Sequence, residues 1–191
     1  MYKEKLEPIL NDVESKDVEI AGGSVVGIML ATVNSLIKYI SNLTLGKKKY
    51  EDVQPEIERI LKKGEELKQE SLSIIDKDTE VLEEILKGYK IKKEDKQKYL
   101  EYCKKGVEFC IHVLEVSFET LKLADRIEKV GNRLLSSDSK ISKYYAYASI
   151  KSSIVNIEIN LNPIEDMEYK VSVINKYTEI LENAEMLMTK L

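Results

Sequence analysis

Apolar residues recur at intervals of three and four along almost the whole chain, and alternation over five or more residues is rare. This periodicity is typical of amphipathic α-helices and not of β-strands. Six segments carry the pattern, at about residues 3–13, 25–44, 55–87, 93–129, 138–160 and 166–191. Because short connections join them, the sequence predicts an all-α fold: an antiparallel bundle of about six helices, forming a single domain over residues 1–191.

The apolar positions of each segment also predict which helix face is buried. The expected core faces are Leu6, Ile9, Leu10 and Val13 in the first helix; Ile57, Ile60, Gly64, Leu67, Ser71, Ile74, Val81 and Ile85 in the third; Cys103, Val107, Cys110, Leu114, Ser117, Leu121 and Ala124 in the fourth; Ile141, Tyr144, Tyr145, Ala148, Ser152, Val155 and Ile159 in the fifth; and Val171, Ile174, Tyr177, Leu181, Ala184, Leu187 and Leu191 in the sixth. The apolar stretch 21–45 carries Asn34, Lys38 and Ser41 on one side, so we interpret it as a core helix and expect no membrane span.

Composition narrows the possible functions. With 30 basic and 34 acidic residues the net charge is −4, which argues against a nucleic-acid-binding protein. His112 is the only histidine, and Cys103 and Cys110 are the only cysteines. A multi-histidine metal site, a cysteine-rich zinc site and a disulfide scaffold are therefore excluded. No signal peptide is visible in the first 20 residues, so we expect a cytoplasmic protein.

Asp78 interrupts the apolar face of the third helix, between Ile74 and Val81. Burying a carboxylate without a partner is costly, so this side chain needs either a hydrogen-bond partner or a raised pKa. Perturbed carboxylates of this kind occur at catalytic sites and also in structural ion pairs. The residues alone leave both interpretations open.

The other candidate residues each have a structural and a functional interpretation. Gly22, Gly23 and Ser24 lie at a helix start, which either binds an anion or forms a tight turn with Ser24 as N-cap. Lys47 and Lys48 form either a carboxylate-binding loop or a solvated one. The remaining candidates are Asp138, which either caps a helix or assists catalysis, and the pair Asn156 and Asn160, which either binds a ligand amide or caps helix carbonyls.

Five motifs in order give the chain a resemblance to the cyclodeaminase/cyclohydrolase family of folate enzymes. They are Gly22-Gly23-Ser24-Val25; Asn42-Leu43-Thr44-Leu45-Gly46-Lys47-Lys48-Lys49-Tyr50; Ile75-Asp76-Lys77-Asp78 followed by Tyr89-Lys90; Gly131-Asn132 followed by Ser137-Asp138; and Asn156-Ile157-Glu158-Ile159-Asn160-Leu161. The second motif is the most specific. The resemblance covers residues from about 5 to 191.

The resemblance implies an enzyme that acts on a one-carbon derivative of tetrahydrofolate, as a methenyltetrahydrofolate cyclohydrolase or a formiminotetrahydrofolate cyclodeaminase. It implies Asp78 as the acid/base or cation-stabilising residue, with Asp138 as a second carboxylate. The implied substrate-binding residues are Gly22, Gly23, Ser24 and Asn42 for the pterin or the reacting amidine, Lys47 and Lys48 for the glutamate tail, and Asn156 for the pterin amide edge. It further implies no metal or redox cofactor, a homodimer, and no nucleic-acid or membrane partner.

Several residues depart from the family pattern. Ile20 and Ala21 stand where the family has proline and its first glycine, Lys140 and Ser152 replace glycines, and Glu158 replaces arginine. Loss of glycine beside a motif could narrow a pocket, and the change at Glu158 reverses a charge. These departures motivate an alternative, a folate-binding or structural helical bundle of the same family without catalytic activity.

Overall fold

The structure, a computed structural model, describes residues 2–16 and 20–189. Within these residues it contains six α-helices and no β-strand, which confirms the predicted all-α class. The helices are α1 (Tyr2–Glu14), α2 (Gly22–Asn42), α3 (Gln54–Ile91), α4 (Lys96–Val130), α5 (Ser136–Leu161) and α6 (Met167–Met188). Two short 3-10 helices, Lys48–Val53 and Arg133–Leu135, lie in the connections before α3 and α5.

Helix α2 lies at the centre of the bundle and packs against α3, α4 and α5. The start of α2 contacts the middle of α3 at Asp78, while Lys38 near its end pairs with Glu65, so these two helices run antiparallel. By length and composition α2 could cross a membrane. Its residues Leu30 and Ile37 are fully buried among the other helices, so it is the core helix that its polar positions predicted.

The predicted core faces of α3 and α4 are confirmed along most of their length. Ile57, Ile60, Leu67 and Ile74 of α3 are buried, as is every predicted position of α4. Small residues allow α2 and α3 to approach closely: a Cβ atom on Gly27 would lie only 2.9 Å from the carbonyl oxygen of Ser71. This close packing fixes the position of α3 relative to the start of α2.

The predicted core face of α5 is wrong. The whole stripe from Ile141 to Ile159 is exposed, and the opposite face is buried instead. That buried face consists largely of small residues and one lysine: Ser139, Ser142, Lys143, Ala146, Ser149, Ile150, Ser153, Ile154 and Ile157. The buried serine hydroxyls donate to carbonyl oxygens of the preceding helical turn, so they pack closely without leaving unpaired polar groups.

Lys143 is fully buried, and its ammonium group lies 3.0 Å from a carboxylate oxygen of Asp125 and 2.9 Å from one of Glu128. Burial alone would lower the pKa of Lys143, but the hydrogen bonds to these two carboxylates raise it above its usual range. This ion cluster joins the end of α4 to the start of α5.

The two terminal helices also differ from the prediction. No residue of α1 is buried, so Leu6, Ile9, Leu10 and Val13 form an apolar face that lies open. In α6, Val173 and Ala184 are buried, whereas Val171 and Ile174 are exposed. Leu191 lies outside the described residues.

Candidate active site

A cleft of about 200 Å³ lies where the start of α2, the middle of α3 and α4 and the end of α5 meet. It is lined by Ala21, Gly22, Gly23, Asp78, Val81, Leu82, Ile85, Phe109, Cys110, Asn156, Ile159 and Asn160. Its wall is mostly apolar, with one carboxylate, two asparagine amides and the first turn of a helix. Such a combination of apolar surface and few polar groups is typical of a small-molecule site.

Asp78 is hydrogen-bonded to Ser24 across the interface between α3 and α2. One carboxylate oxygen accepts from the Ser24 backbone N–H at 2.7 Å and lies 2.9 Å from the Ser24 hydroxyl oxygen. The same hydroxyl lies 3.1 Å from the carbonyl oxygen of Ile75. A hydroxyl carries one proton, so it donates to the Asp78 carboxylate or to the Ile75 carbonyl, but not to both at once.

Burial raises the pKa of Asp78 above its usual range, and the two hydrogen bonds from Ser24 oppose that shift only in part. When Asp78 is ionised, the Ser24 hydroxyl donates to it. When Asp78 is protonated, its proton is donated to the Ser24 oxygen, and the hydroxyl turns to Ile75. The side chain therefore has a hydrogen-bond partner in both protonation states, as a group that exchanges protons requires.

Gly23 allows this contact to form. A Cβ atom at position 23 would lie 2.0 Å from one Asp78 carboxylate oxygen and 2.6 Å from its Cγ atom, so any side chain there would displace the carboxylate. Ser24 is not the N-cap of α2, because the helix begins at Gly22 with Ala21 as N-cap and no side-chain cap. Asp78 from α3 instead accepts the Ser24 N–H, one of the amides that a helix start leaves without a helical partner.

Asn156 and Asn160 bring α5 to the opposite wall of the cleft. The Asn160 amide nitrogen donates to the backbone carbonyl of Asn156 at 3.0 Å and lies 3.6 Å from the Cys110 sulfur. The side-chain amide of Asn156 receives no hydrogen bond from the part of the chain that the structure describes, and so is available to a ligand. Burial raises the pKa of the Cys110 thiol to about 12, so this group is neutral and not a nucleophile.

The structure brings together five of the nine predicted site residues: Gly22, Gly23, Ser24, Asp78 and Asn156. The other four, Asn42, Lys47, Lys48 and Asp138, lie at the opposite end of the bundle, where α2 ends and α5 begins. Asp138 and Asn156 are 18 residues apart on one helix, which is about 27 Å at 1.5 Å per residue. Asp138 therefore cannot exchange a proton with Asp78 within one chain.

At that opposite end, the motif residues mainly hold the loops together. The Thr44 hydroxyl accepts the Asn132 backbone N–H at 3.0 Å, and the Asn132 amide nitrogen donates to the Leu43 carbonyl at 3.2 Å. The Tyr50 hydroxyl lies 3.3 Å from the Asn132 amide oxygen and accepts the Arg133 N–H at 3.0 Å. Lys47 and Lys48 remain exposed beside these contacts and are accessible to a ligand.

The sequence did not indicate Phe109, Cys110 and Ile159 as site residues. Asn160 did carry a signal, because it lies one helical turn after Asn156 and both interrupt an apolar segment, and both line the cleft. Phe109 and Cys110 gave none, since an apolar residue on a core face has the same pattern whether it touches another helix or a cleft. Among the described residues no group of three or more His, Cys, Asp or Glu side chains could hold a metal ion.

The fold and the cleft define an all-α protein with a partly buried carboxylate in a small-molecule-sized cleft. A sequence profile narrows this class: the chain belongs to the formiminotransferase-cyclodeaminase family, whose profile matches residues 5–179. The family resemblance seen in the motifs is thereby confirmed.

Individual relatives agree with this assignment. The chain is 26% identical to a methenyltetrahydrofolate cyclohydrolase of Methylorubrum extorquens, over 95% of this chain and 90% of the relative. It is 22% identical to the formimidoyltransferase-cyclodeaminase of Sus scrofa, over 94% of this chain and 34% of that protein. The crystal structure of formiminotetrahydrofolate cyclodeaminase from Thermotoga maritima superposes with a TM-score of 0.90 at 26% identity, covering 95% of this chain and 90% of the other.

Proposed function

We propose that the chain is a folate one-carbon enzyme that performs acid/base chemistry at the N5–C–N10 bridge of tetrahydrofolate. It acts as a methenyltetrahydrofolate cyclohydrolase or as a formiminotetrahydrofolate cyclodeaminase, the two activities for which its relatives are named. The observation that carries the proposal is the partly buried Asp78, held by Ser24 in the cleft and provided with a hydrogen-bond partner in either protonation state.

Both reactions pass a proton near a cationic, amidine-like carbon. In the cyclohydrolase reaction, water adds to the methenyl carbon, a proton leaves the added water, and the ring opens to 10-formyltetrahydrofolate. In the cyclodeaminase reaction, N10 attacks the formimino carbon, the departing nitrogen gains a proton, and ammonia leaves to give 5,10-methenyltetrahydrofolate. An ionised Asp78 stabilises the cation and accepts the proton, and a protonated Asp78 returns it.

The surrounding groups then have distinct roles. The amides of Gly22 and Gly23 at the start of α2 and the side chain of Asn156 bind the polar edge of the pterin, while Val81 and Ile85 contact its apolar surface. The proposal includes no cofactor beyond the tetrahydrofolate substrate and places the enzyme in the cytoplasm. Lys47 and Lys48 bind the glutamate tail by charge attraction.

Asn42, Lys47, Lys48 and Asp138 all lie at the opposite end of the bundle, so they require a second copy of the chain if they are to act on the same substrate as Asp78. We accordingly propose that the enzyme is a homodimer. Asp138 of one subunit then serves as a second carboxylate in the cleft of the other subunit. Asn42 lies at the same end of its subunit as Asp138.

The test uses absorbance at the methenyltetrahydrofolate band with two substrates in parallel. A rise with 5-formiminotetrahydrofolate identifies a cyclodeaminase, and an accelerated fall with 5,10-methenyltetrahydrofolate identifies a cyclohydrolase. Asp78→Asn should abolish turnover with little loss of fold, whereas Asp76→Asn, an exposed neighbour on the same helix, should keep it. Full activity of Asp78→Asn would contradict the assignment of Asp78. Folate binding by the unmodified protein without turnover would support the non-catalytic alternative.

A further inference from the structure

The exposed stripe of α5 is unusual for a surface. Its five large members, Ile141, Tyr144, Tyr145, Val155 and Ile159, each expose between 43% and 67% of their area. Val155 and Ile159 also border a groove with Ile174 of α6, so the apolar surface extends over two helices. A continuous apolar surface of this kind is typical of an interaction site. Six of the residues on this face, Ile141, Tyr145, Ala148, Ser152, Val155 and Ile159, form its central row, which we call the α5 stripe; Tyr144 lies on the flank of this row.

The spacing within the α5 stripe is the same in both directions along the helix. The intervals from 141 to 145, 148, 152, 155 and 159 are four, three, four, three and four residues. If the helix is turned end over end about the position of Ile150, Ile141 therefore takes the place of Ile159, Tyr145 that of Val155, and Ala148 that of Ser152. This spacing, which any helix face with alternating intervals of three and four residues has, allows two copies of the stripe to meet antiparallel across a two-fold axis, each presenting the same patch to the other.

We infer that the α5 stripe pairs antiparallel with the α5 stripe of a second copy of this chain, with the two-fold axis at the level of Ile150. This inference rests on the homodimer proposed above and specifies its interface. The small residues Ala148 and Ser152 meet at the centre, where they allow the helices to approach closely, and the larger residues cover the two ends.

Charges on the flank of the stripe support the same register. Lys140 and Glu158 are 18 residues apart, which is five turns of 3.6 residues, so they share one flank of α5. A two-fold axis perpendicular to both helices places each flank beside the same flank of the other copy. Measured along the helix axis, Lys140 is then offset by only about 3 Å from Glu158 of the partner subunit. The two-fold symmetry makes this pair occur twice. In this register their opposite charges meet.

The same geometry brings the second half of the predicted site to the cleft. Ile159 belongs both to the α5 stripe and to the cleft wall, so the start of the partner's α5 borders the cleft mouth. Asp138 and Asn156 also share a flank, being 18 residues apart. Measured along the helix axis, the partner subunit's Asp138 is then offset by about 9 Å from Asn156. Within one chain the offset between Asp138 and Asn156 is about 27 Å. Asn42, Lys47 and Lys48 lie at the same end of the partner subunit as its Asp138, so they too come closer to the cleft.

Disulfide cross-linking tests the register. Ala148→Cys and Ser152→Cys are made separately, and both native cysteines are buried. After subunit exchange and mild oxidation, the mixture should form covalent dimers, because positions 148 and 152 face each other across the axis. Each variant alone should not, since its own cysteines lie about 6 Å apart along the axis in addition to their lateral separation. Cross-linking of either variant alone, or none in the mixture, would overturn the proposed register.

Charge reversal tests the flank independently of cross-linking. Lys140→Glu and Glu158→Lys each place like charges together twice, and should each weaken dimerisation about tenfold in sedimentation equilibrium. The double variant should return to within about threefold of the unmodified protein, although Glu158→Lys also removes the contact with the Tyr177 hydroxyl. Lys151 shares this flank near the axis, so Lys151→Gln should strengthen the dimer. A double variant no tighter than the single ones would refute the pairing.

Complementation extends the test to the cleft. Asp78→Asn and Asp138→Asn subunits are mixed and allowed to exchange, so each hybrid dimer carries one cleft with both aspartates intact. Turnover in the mixture above that of either variant supports a site completed by the partner, and no gain would overturn that part of the inference. Cross-linking and sedimentation need no folate, so a failure of the proposed activity leaves the interface test intact.

Discussion

Replacing Gly23 by alanine tests whether the position of Asp78 controls catalysis. The added Cβ would lie 2.0 Å from a carboxylate oxygen of Asp78, and ordinary contact begins at 3.4 Å. The carboxylate must therefore move by about 1.4 Å, which is easier than separating two packed helices because it ends a rotatable side chain. Such a displacement breaks the hydrogen bonds of 2.7 and 2.9 Å to Ser24.

We expect kcat of Gly23→Ala to fall about a hundredfold, since a displacement of about 1 Å at a reacting group has that effect. The free energy of unfolding should change by no more than about 2 kcal/mol, because the lost hydrogen bonds are offset as the carboxylate returns to water. Steady-state kinetics with the better folate substrate and urea unfolding measure the two quantities separately.

Gly22→Ala is the matched control, because a Cβ atom there meets nothing within 4 Å. It adds the same methyl group to the same helical turn and leaves Asp78 in place, so kcat should stay within about threefold, and an effect on pterin binding at Gly22 should change KM instead. If Gly23→Ala kept the unmodified kcat, or if both variants lost it equally, the placement of Asp78 by Gly23 would not be what the reaction requires.

Three further predictions follow from the charged groups. Burial raises the pKa of Asp78, so the unmodified protein should lose stability as the pH rises from the unfolded pKa through the folded pKa; urea unfolding against pH should show Asp78→Asn gaining relative stability over that window. Lys143→Met should lower the free energy of unfolding by about 3–5 kcal/mol in denaturant titrations, because it leaves the carboxylates of Asp125 and Glu128 without their buried partner. Lys47→Ala combined with Lys48→Ala should raise KM for a polyglutamylated folate and leave kcat unchanged, and an unaltered KM in steady-state kinetics would assign these lysines to a solvated loop.

Much of the fold follows from the sequence because apolar periodicity reflects burial wherever the buried side chains are large. The large residues of the α3 and α4 stripes, such as Ile57, Ile74 and Leu114, have this property, and both faces were predicted correctly along most of their length. Asp78 was detectable for the same reason, since a carboxylate among isoleucines and valines breaks the pattern. The motifs also predicted the family without any coordinates.

Helix α5 shows where this reasoning stops. Its buried face packs closely through Ser142, Ala146, Ser149 and Ser153, and its exposed face also carries large apolar residues, so neither face of α5 is clearly the more hydrophobic. A hydrophobic pattern ranks faces by their side chains and not by their distance from a neighbouring helix. The sequence therefore identified a real apolar face on α5 and assigned it to the wrong environment.

For the candidate site too, the sequence determined one part and the tertiary structure the other. The sequence determined which residue types are available for chemistry, because motif and composition are local properties. Only the tertiary structure decided that Asp78, Ser24 and Asn156 meet while Asp138 lies a helix length away. Proximity between residues distant in the chain depends on how whole helices pack, and that packing is set by contacts such as Gly23 against Asp78, which no local pattern records.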